Sequence, residues 1–260
     1  MNARKKAGRG APRRNAASGG SNVAPRRRSP RLPREERERQ IVHGAIQFFG
    51  GVGLGGDARQ LGTRVGITRA LLFRYFPSKD ALIERVYADV YLGRWNPAWE
   101  MIIEDRSIPL RDRLVRFYKL YAKTILSYEW VRLFMFAGLK GADMNRRFFS
   151  FVTERLVLPI CREIRAEYGL PDFTQIRPLE TERELVWGLN SRVFYFGVRK
   201  YIYGLPMPAN LDAFIEAEIR MFFDGVGAAL SDLIPSPNGG RHGKPAGPRD
   251  RMPARRARAA

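Results

Sequence analysis

The chain has 260 residues, of which 45% are hydrophobic and 12% aromatic, and its formal net charge is +20. This composition is typical of a globular protein, and no run of about 18 apolar residues predicts a membrane span. A single cysteine, Cys161, excludes a disulfide framework, and the two histidines have no metal-ligand spacing with it. We therefore expect a cytoplasmic protein that contains no metal and no cofactor.

The positive charge is concentrated at the two ends of the chain. Residues 1–33 contain ten Lys or Arg and no acid, residues 235–260 contain seven against one Asp, and together these segments supply 16 of the 20 net charges. Both segments are rich in Pro, Gly, Ala and Ser without apolar periodicity, which predicts disordered basic arms. Such arms favour a polyanionic partner, most simply nucleic acid, with inert solvated tails as the alternative.

The first periodic segment, residues 34–49, predicts an amphipathic helix. The stretch that follows, GGVGLGG (50–56), contains the spacing GxGxxG of a dinucleotide-binding loop. That loop requires a preceding strand, and because a helix precedes it here, a nucleotide-dependent enzyme is disfavoured. Gly50 and Gly51 are instead predicted to end the helix in a left-handed turn.

Two short helices are predicted next. Asp57 caps the first, over 57–65, and Gly66 ends it. Thr68 caps the second, over 69–76, and a further helix follows over 79–95. Two short helices joined by a glycine-containing turn have the form of a helix-turn-helix, whose second helix enters the major groove of DNA. The residues predicted to pack inward are Leu61, Val65, Ile67, Leu72 and Phe76.

The outward side chains of the second short helix are the candidate DNA contacts. Arginine is the usual partner of guanine, which favours base contact by Arg69 over a solvated surface charge. Ala70 and Leu71 suit a thymine methyl group, while Tyr75, unless it packs as a core ring, and Lys79 suit phosphates. The complete predicted set is Thr68, Arg69, Ala70, Leu71, Phe73, Arg74, Tyr75 and Lys79.

Residues 96–234 are predicted to form a larger helical body. Its helices are expected at 108–127, 128–140, 143–168, 180–203 and 210–233. No segment alternates in polarity as a half-buried strand does, so the predicted fold class is all-α, with a DNA-binding domain at 34–95 and a body at 96–234. Apolar stripes on the last two helices, together with Gly188 and Gly197, predict a two-fold dimer.

The body is rich in aromatic residues, most of which are expected in the core. Their number predicts in addition an apolar pocket for a lipophilic or aromatic effector, with Arg132, Arg192 or Arg199 able to meet a carboxylate. The acids of ETERE (180–184) are interpreted as a charged first helical turn, and no catalytic constellation is found, so we expect no enzymatic activity. The candidate pocket residues are Tyr121, Trp130, Phe134, Trp187 and Tyr195.

The segment GTRVGITRALLFRYFPSKDALIERVY (62–87) resembles the signature of TetR-type (tetracycline-repressor-like) transcriptional regulators, and the resemblance extends over about 34–95. It departs at three positions, with Phe73 for the usual Tyr, Asp57 for Thr or Ser, and Gly62 for Ala. The residues that fit are Gly66, Ile67, Thr68, Leu72, Arg74, Tyr75, Phe76, Pro77, Ser78, Lys79 and Leu82.

The resemblance implies a regulator, most often a repressor, that binds a palindromic operator as a homodimer. It further implies that the last two long helices form a four-helix dimer interface and that the body holds a small-molecule effector. Such a protein would act at the nucleoid. The alternative is a non-specific architectural DNA-binding protein that uses its basic arms, and the selectivity of DNA binding distinguishes the two hypotheses.

Overall fold

The computed structural model describes residues 32–141 and 143–234, so the predicted basic arms lie outside the described residues except for Leu32 and Pro33. Every regular element in these ranges is helical, as predicted. None of the helices there has the length and apolar character needed to span a membrane. The helices are α1 (Arg34–Val52), α2 (Ala58–Val65), α3 (Arg69–Tyr75), α4 (Lys79–Tyr87), α5 (Ala98–Glu104), α6 (Leu110–Ile125), α7 (Tyr128–Leu139), α8 (Asp143–Val152), α9 (Leu158–Glu167), α10 (Glu180–Tyr201) and α11 (Leu211–Leu233).

Two π-helical turns lengthen these helices. Ala88–Leu92 continues α4, and Thr153–Val157 joins α8 to α9 in one helical run that corresponds to the predicted helix 143–168. The sequence did not predict α5, because its seven residues contribute only Trp99 and Ile103 to the core. An Asn96 side chain starts that helix by accepting a hydrogen bond from the amide of Ala98 at 3.0 Å.

The predicted end of α1 is wrong by one turn. Gly50 and Gly51 lie inside the helix, and the left-handed residue is Gly53, with φ of 86°. Gly50 is buried against α7, where a Cβ atom would come within 3.6 Å of the Cα atom of Glu129. Arg132 of α7 donates hydrogen bonds to the carbonyl oxygens of both glycines in the last turn of the helix.

One hydrophobic core runs through the described residues. Helix α1 packs on α2, α4 and α7, so it belongs at once to the helix-turn-helix and to the body. In the body, α10 and α11 pack on each other and on α6, and α10 also packs on α7 and α9. The buried face of α1 consists of Ile41, Val42, Ala45, Ile46, Phe48, Phe49 and Gly50.

The two glycines predicted to allow helix approach in a dimer differ in their surroundings. A Cβ atom on Gly197 would come within 2.7 Å of Val131 and 3.0 Å of Leu126, so this glycine lets α10 approach α7 of its own chain. A Cβ atom on Gly188 would meet nothing within 4 Å. The proposed role of Gly197 between subunits is therefore corrected, and Gly188 stays available for one.

The N-terminus of α10 is fixed by a buried ion pair. Arg165 of α9 donates to both carboxylate oxygens of Glu182, at 2.8 and 2.6 Å, and both side chains are almost completely buried. The remaining guanidinium hydrogens are bound by backbone oxygens of the α9–α10 loop, including those of Pro171 and Ile176. Because a buried charge is costly without partners, this network fixes the course of the loop that leads into α10.

Candidate nucleic-acid interface

Local hydrogen bonds define the N-terminal ends of α2 and α3. The carboxylate of Asp57 accepts hydrogen bonds from the amides of Arg59, at 2.6 Å, and Gln60, at 3.3 Å, and these bonds lower the pKa of Asp57. The hydroxyl of Thr68 accepts from the amide of Leu71 at 3.2 Å at the start of α3. Both predicted caps are confirmed, and Asp57 stays ionised in place of the neutral hydroxyl that is usual in the family.

The turn between the two helices closes onto Gly62. The amide of Ile67 donates to the carbonyl of Gly62 at 2.8 Å, and Gly66 adopts a left-handed φ of 75°. A Cβ atom on Gly62 would lie only 2.8 Å from the Ile67 carbonyl oxygen, a backbone atom that cannot move independently. Gly62, which departs from the family's usual alanine, is thus required by the close approach of the turn.

The inward residues of this unit are placed as predicted. Leu61, Leu72 and Phe76 are buried, and Val65 and Ile67 are half-buried and pack against them. Helix α3 is therefore attached to α1 and α2 by one face. Its other face is left toward solvent.

The solvent-facing side of α3 and its N-cap carries four of the predicted DNA-binding residues. Thr68, Arg69, Ala70 and Arg74 are exposed, whereas Leu71, Phe73 and Tyr75 are half-buried. The guanidinium of Arg69 lies 5.4 Å from the centre of the Phe73 ring, a cation–π contact that holds the arginine along the helix surface. Phe73 has no hydroxyl and cannot donate a hydrogen bond to a phosphate, but its ring orients Arg69.

Sequence reasoning missed two arginines at the start of α1. Arg34 and Arg37 line a surface depression of about 400 Å³, which they share with Leu71, Arg74 and Tyr75 of α3. In the sequence these arginines stand among glutamates, in REERER (34–39), so no cluster of positive charge is visible there. The fold brings them beside α3, so a concave basic surface continues from the second short helix onto α1.

Lys79 lies at the first position of α4. Its ammonium is 5.8 Å from the centre of the Phe49 ring, and partial burial, followed by repulsion from Lys140, lowers the pKa of Lys79. The hydroxyl of Ser78 caps the helix by accepting from the amide of Ala81 at 3.0 Å. A helix N-terminus with a cation at this position can attract a phosphate.

The five candidate effector residues do not surround one cavity. Trp130 and Phe134 stack on each other with ring centres 5.2 Å apart, and Tyr121 stacks within a separate group of rings. Trp187 contacts Phe149, whereas Tyr195 is 53% exposed. In this conformation these aromatic residues are packed as core or lie at the surface.

The three arginines considered for an anionic effector are engaged elsewhere. Arg132 donates to backbone carbonyls, Arg192 forms an ion pair with Glu218 at 2.9 Å, and Arg199 lies over the Phe196 ring. A cleft of about 490 Å³ does open in the body, between the α5–α6 loop and α9. It is lined by Arg106, Ser107, Ile108, Pro109, Arg113, Glu163, Ala166 and Glu167, none of which the sequence suggested.

The geometry of α1–α3, with an exposed polar face on the second short helix, is that of a helix-turn-helix DNA-binding unit. Residues 41–86 match the family described as bacterial regulatory proteins, tetR family. Residues 41–86 therefore form a helix-turn-helix domain of the TetR type. No curated protein sequence matches the chain significantly.

Solved structures of regulators share the fold of the whole described chain. A TetR-like transcriptional regulator from Rhodococcus sp. RHA1 is 17% identical, with a TM-score of 0.58 over 75% of this chain and 100% of that one. A tetR-family transcriptional regulator from Streptomyces coelicolor is 18% identical, with a TM-score of 0.54 over 78% of this chain and 86% of that one. At these identities the comparison establishes a common fold.

The close approach at Gly62 predicts opposite effects for two alanine substitutions. Gly62→Ala should destabilise the protein by about 1–3 kcal/mol, because the new methyl group displaces the α2–α3 turn. Gly51→Ala is the matched control, since its Cβ atom would meet nothing within 4 Å. It should be neutral or stabilise by up to about 1 kcal/mol through helix propensity. Urea unfolding of both variants measures the difference, and a Gly62→Ala protein as stable as Gly51→Ala would contradict this account of the turn.

Proposed function

We propose that the protein is a ligand-responsive repressor that binds a palindromic operator as a homodimer, with α3 of each subunit in the major groove. The observation that carries the proposal is the exposed row of Thr68, Arg69, Ala70 and Arg74 on a helix fixed from its opposite face. A helix in the major groove reads bases through side chains near its N-terminus. Three of these four residues belong to the N-cap and first turn of α3.

The roles divide between base recognition and phosphate contact. Arg69 is assigned to a guanine edge, which its fork of donors matches, and Ala70 and Leu71 to a thymine methyl group. Arg74 and Tyr75 are assigned to phosphates, and such contacts fix the position of the protein on the duplex. Arg34 and Arg37 extend this phosphate-binding surface onto α1, because they share the depression with Arg74 and Tyr75.

Homodimer formation is assigned to α10 and α11. A groove between them is lined mainly by apolar and small residues and stands open along both helices. At Gly188 and Gly225 a Cβ atom would meet nothing within 4 Å, which leaves room for side chains of a second subunit. The groove residues are Glu184, Leu185, Gly188, Leu189, Arg192, Met221, Phe222, Gly225, Val226 and Ala229.

The lipophilic effector stays a prediction. Its candidate residues Trp130 and Phe134 are packed against other rings, so a ligand among them requires a different conformation of the body. Ligand binding then shifts the population toward that conformation, and its effect on DNA affinity is limited by its differential affinity for the two states.

The division of roles predicts different defects for Arg69 and Lys79. The selected site is the DNA sequence that the unmodified protein enriches most from a pool of random duplexes. Arg69→Ala should weaken binding to this site by about 1–3 kcal/mol and relax the preference at one base position. Lys79→Ala should weaken all duplexes alike and reduce the slope of log affinity against log salt by about one. The measurement is fluorescence anisotropy with the selected site and a random duplex over a range of salt concentrations.

A matched control is Arg146→Ala, which removes one positive charge from an exposed position on α8. It should leave the preference for the selected site unchanged. If Arg69→Ala weakened the selected and random duplexes equally, Arg69 would not read a base. Uniform binding of the unmodified protein to all duplexes would support the architectural alternative instead.

The proposed interface predicts that a charge in the α10–α11 groove separates the subunits. Met221 lines this groove and is 52% exposed, and Met101 on α5 is 71% exposed and lies outside it. Met221→Lys should produce folded monomers, because two lysines would meet across a desolvated interface, whereas Met101→Lys should remain dimeric. Sedimentation equilibrium at micromolar concentration distinguishes the states. A Met221→Lys protein that dimerises as tightly as Met101→Lys would place the interface elsewhere.

A further inference from the structure

Arg132 of α7 joins the ends of two helices that otherwise do not share a hydrogen bond among the described residues. Its Nε atom donates to the carbonyl oxygen of Gly50 at 2.5 Å, and one terminal nitrogen donates to that of Gly51 at 3.0 Å. Both carbonyls belong to the last turn of α1. The other terminal nitrogen donates at 3.1 Å to the carbonyl oxygen of Tyr201, the last residue of α10.

The chemistry of helix ends explains why an arginine stands at this position. The last carbonyls of a helix have no partner within the helix and carry partial negative charge. Helix α1 has no basic residue of its own in its last turn. The guanidinium of Arg132 supplies that positive charge, and its planar fork reaches both helix ends at once, which a lysine ammonium on a flexible stem cannot do with the same geometry.

Aromatic rings hold the guanidinium in this orientation. Its central carbon lies 5.2 Å from the centre of the Tyr128 ring and 5.0 Å from that of Phe136. The Tyr128 ring in turn meets Tyr201 edge to face at 5.7 Å. With Gly50 packed against the backbone of α7, Arg132 and its neighbours form a rigid joint between α1 and α10.

We propose that Arg132 is a positioning residue that fixes the DNA-reading unit relative to α10, and so determines which spacing between half-sites the dimer accepts. The inference rests on the proposed function, in which α10 belongs to the dimer interface. Helix α1 packs on α2 and α4, so a change at its C-terminus tilts α3 with it. The distance between the two copies of α3 therefore depends on hydrogen bonds in which none of the proposed DNA-reading residues takes part.

The test compares variants on operators of different geometry. Arg132→Met removes all three hydrogen bonds, Arg132→Lys keeps the positive charge, and Arg155→Met is the matched control. Arg155 also forms ion-pair hydrogen bonds, to Glu100 at 3.1 and 3.0 Å, and a cation–π contact, but entirely within the body. The DNA probes are the selected palindrome, the same palindrome with one or two base pairs inserted or removed at its centre, and a single half-site.

We expect the unmodified protein to prefer the selected spacing. Arg132→Met should reduce that preference about tenfold, since hydrogen bonds to a charged group contribute substantially to a fixed geometry, and its affinity for the single half-site should change less than about twofold. Arg132→Lys should lose part of the preference, and Arg155→Met should keep all of it. A merely structural role would lower stability without changing the ratio of affinities between spacings.

Three results would overturn the inference. One is an unchanged spacing preference in dimeric Arg132→Met, or in Arg132→Lys if the methionine variant does not fold. Another is an equal loss of affinity on the single half-site and on every spacing, which would assign Arg132 to the folding of the DNA-reading unit. The third is an unmodified protein with no spacing preference at all, which would refute the proposed homodimeric function together with the inference.

Discussion

The proposed recognition helix, α3, has seven residues and is too short to be stable alone, so the proposed reading of DNA depends on how α3 is held. Leu72 and Phe76 attach one face of α3 to the core, and the turn before it closes onto Gly62. Caps at Asp57 and Thr68 supply partners for backbone amides that the short helices cannot satisfy themselves. The core and cap residues thus determine the orientation of α3 and with it the positions of its exposed side chains.

That support continues from α1 into the body. Helix α1 contributes its buried face to the helix-turn-helix and packs its C-terminal turn on α7, where Arg132 binds its last carbonyls. The same guanidinium binds the end of α10, whose other end is fixed by the buried pair of Arg165 and Glu182. The hydrogen bonds of Arg132 and the packing of α1 on α2, and of α2 on α3, thus connect the proposed dimer interface to the proposed DNA-reading surface. In the proposed function, a conformational change in the body reaches α3 through the packing of α7 on α1, of α1 on α2 and of α2 on α3.

The sequence predicted what depends on local chemistry and missed what depends on distant residues. Asp57 and Thr68 cap their helices as predicted, because a cap involves only residues two or three positions away. The end of α1 was misplaced because its partner, Arg132, lies about 80 residues along the chain. The contribution of Arg34 to the basic surface was missed for the same reason, because only folding places this residue beside α3. The aromatic composition of the body could not distinguish a ligand pocket from the stacked rings that the structure contains.

Chemical footprinting of the complex with DNA is the most direct test of whether two copies of α3 read two half-sites in the major groove. Dimethyl sulfate methylates guanine at N7 in the major groove and adenine at N3 in the minor groove, so it reports which groove is covered. If both copies of α3 lie in the major groove, guanine N7 atoms are protected in two clusters, related by the centre of the palindrome and facing the same side of the duplex. Protection confined to adenine N3, or spread evenly along any duplex, would contradict this placement of α3.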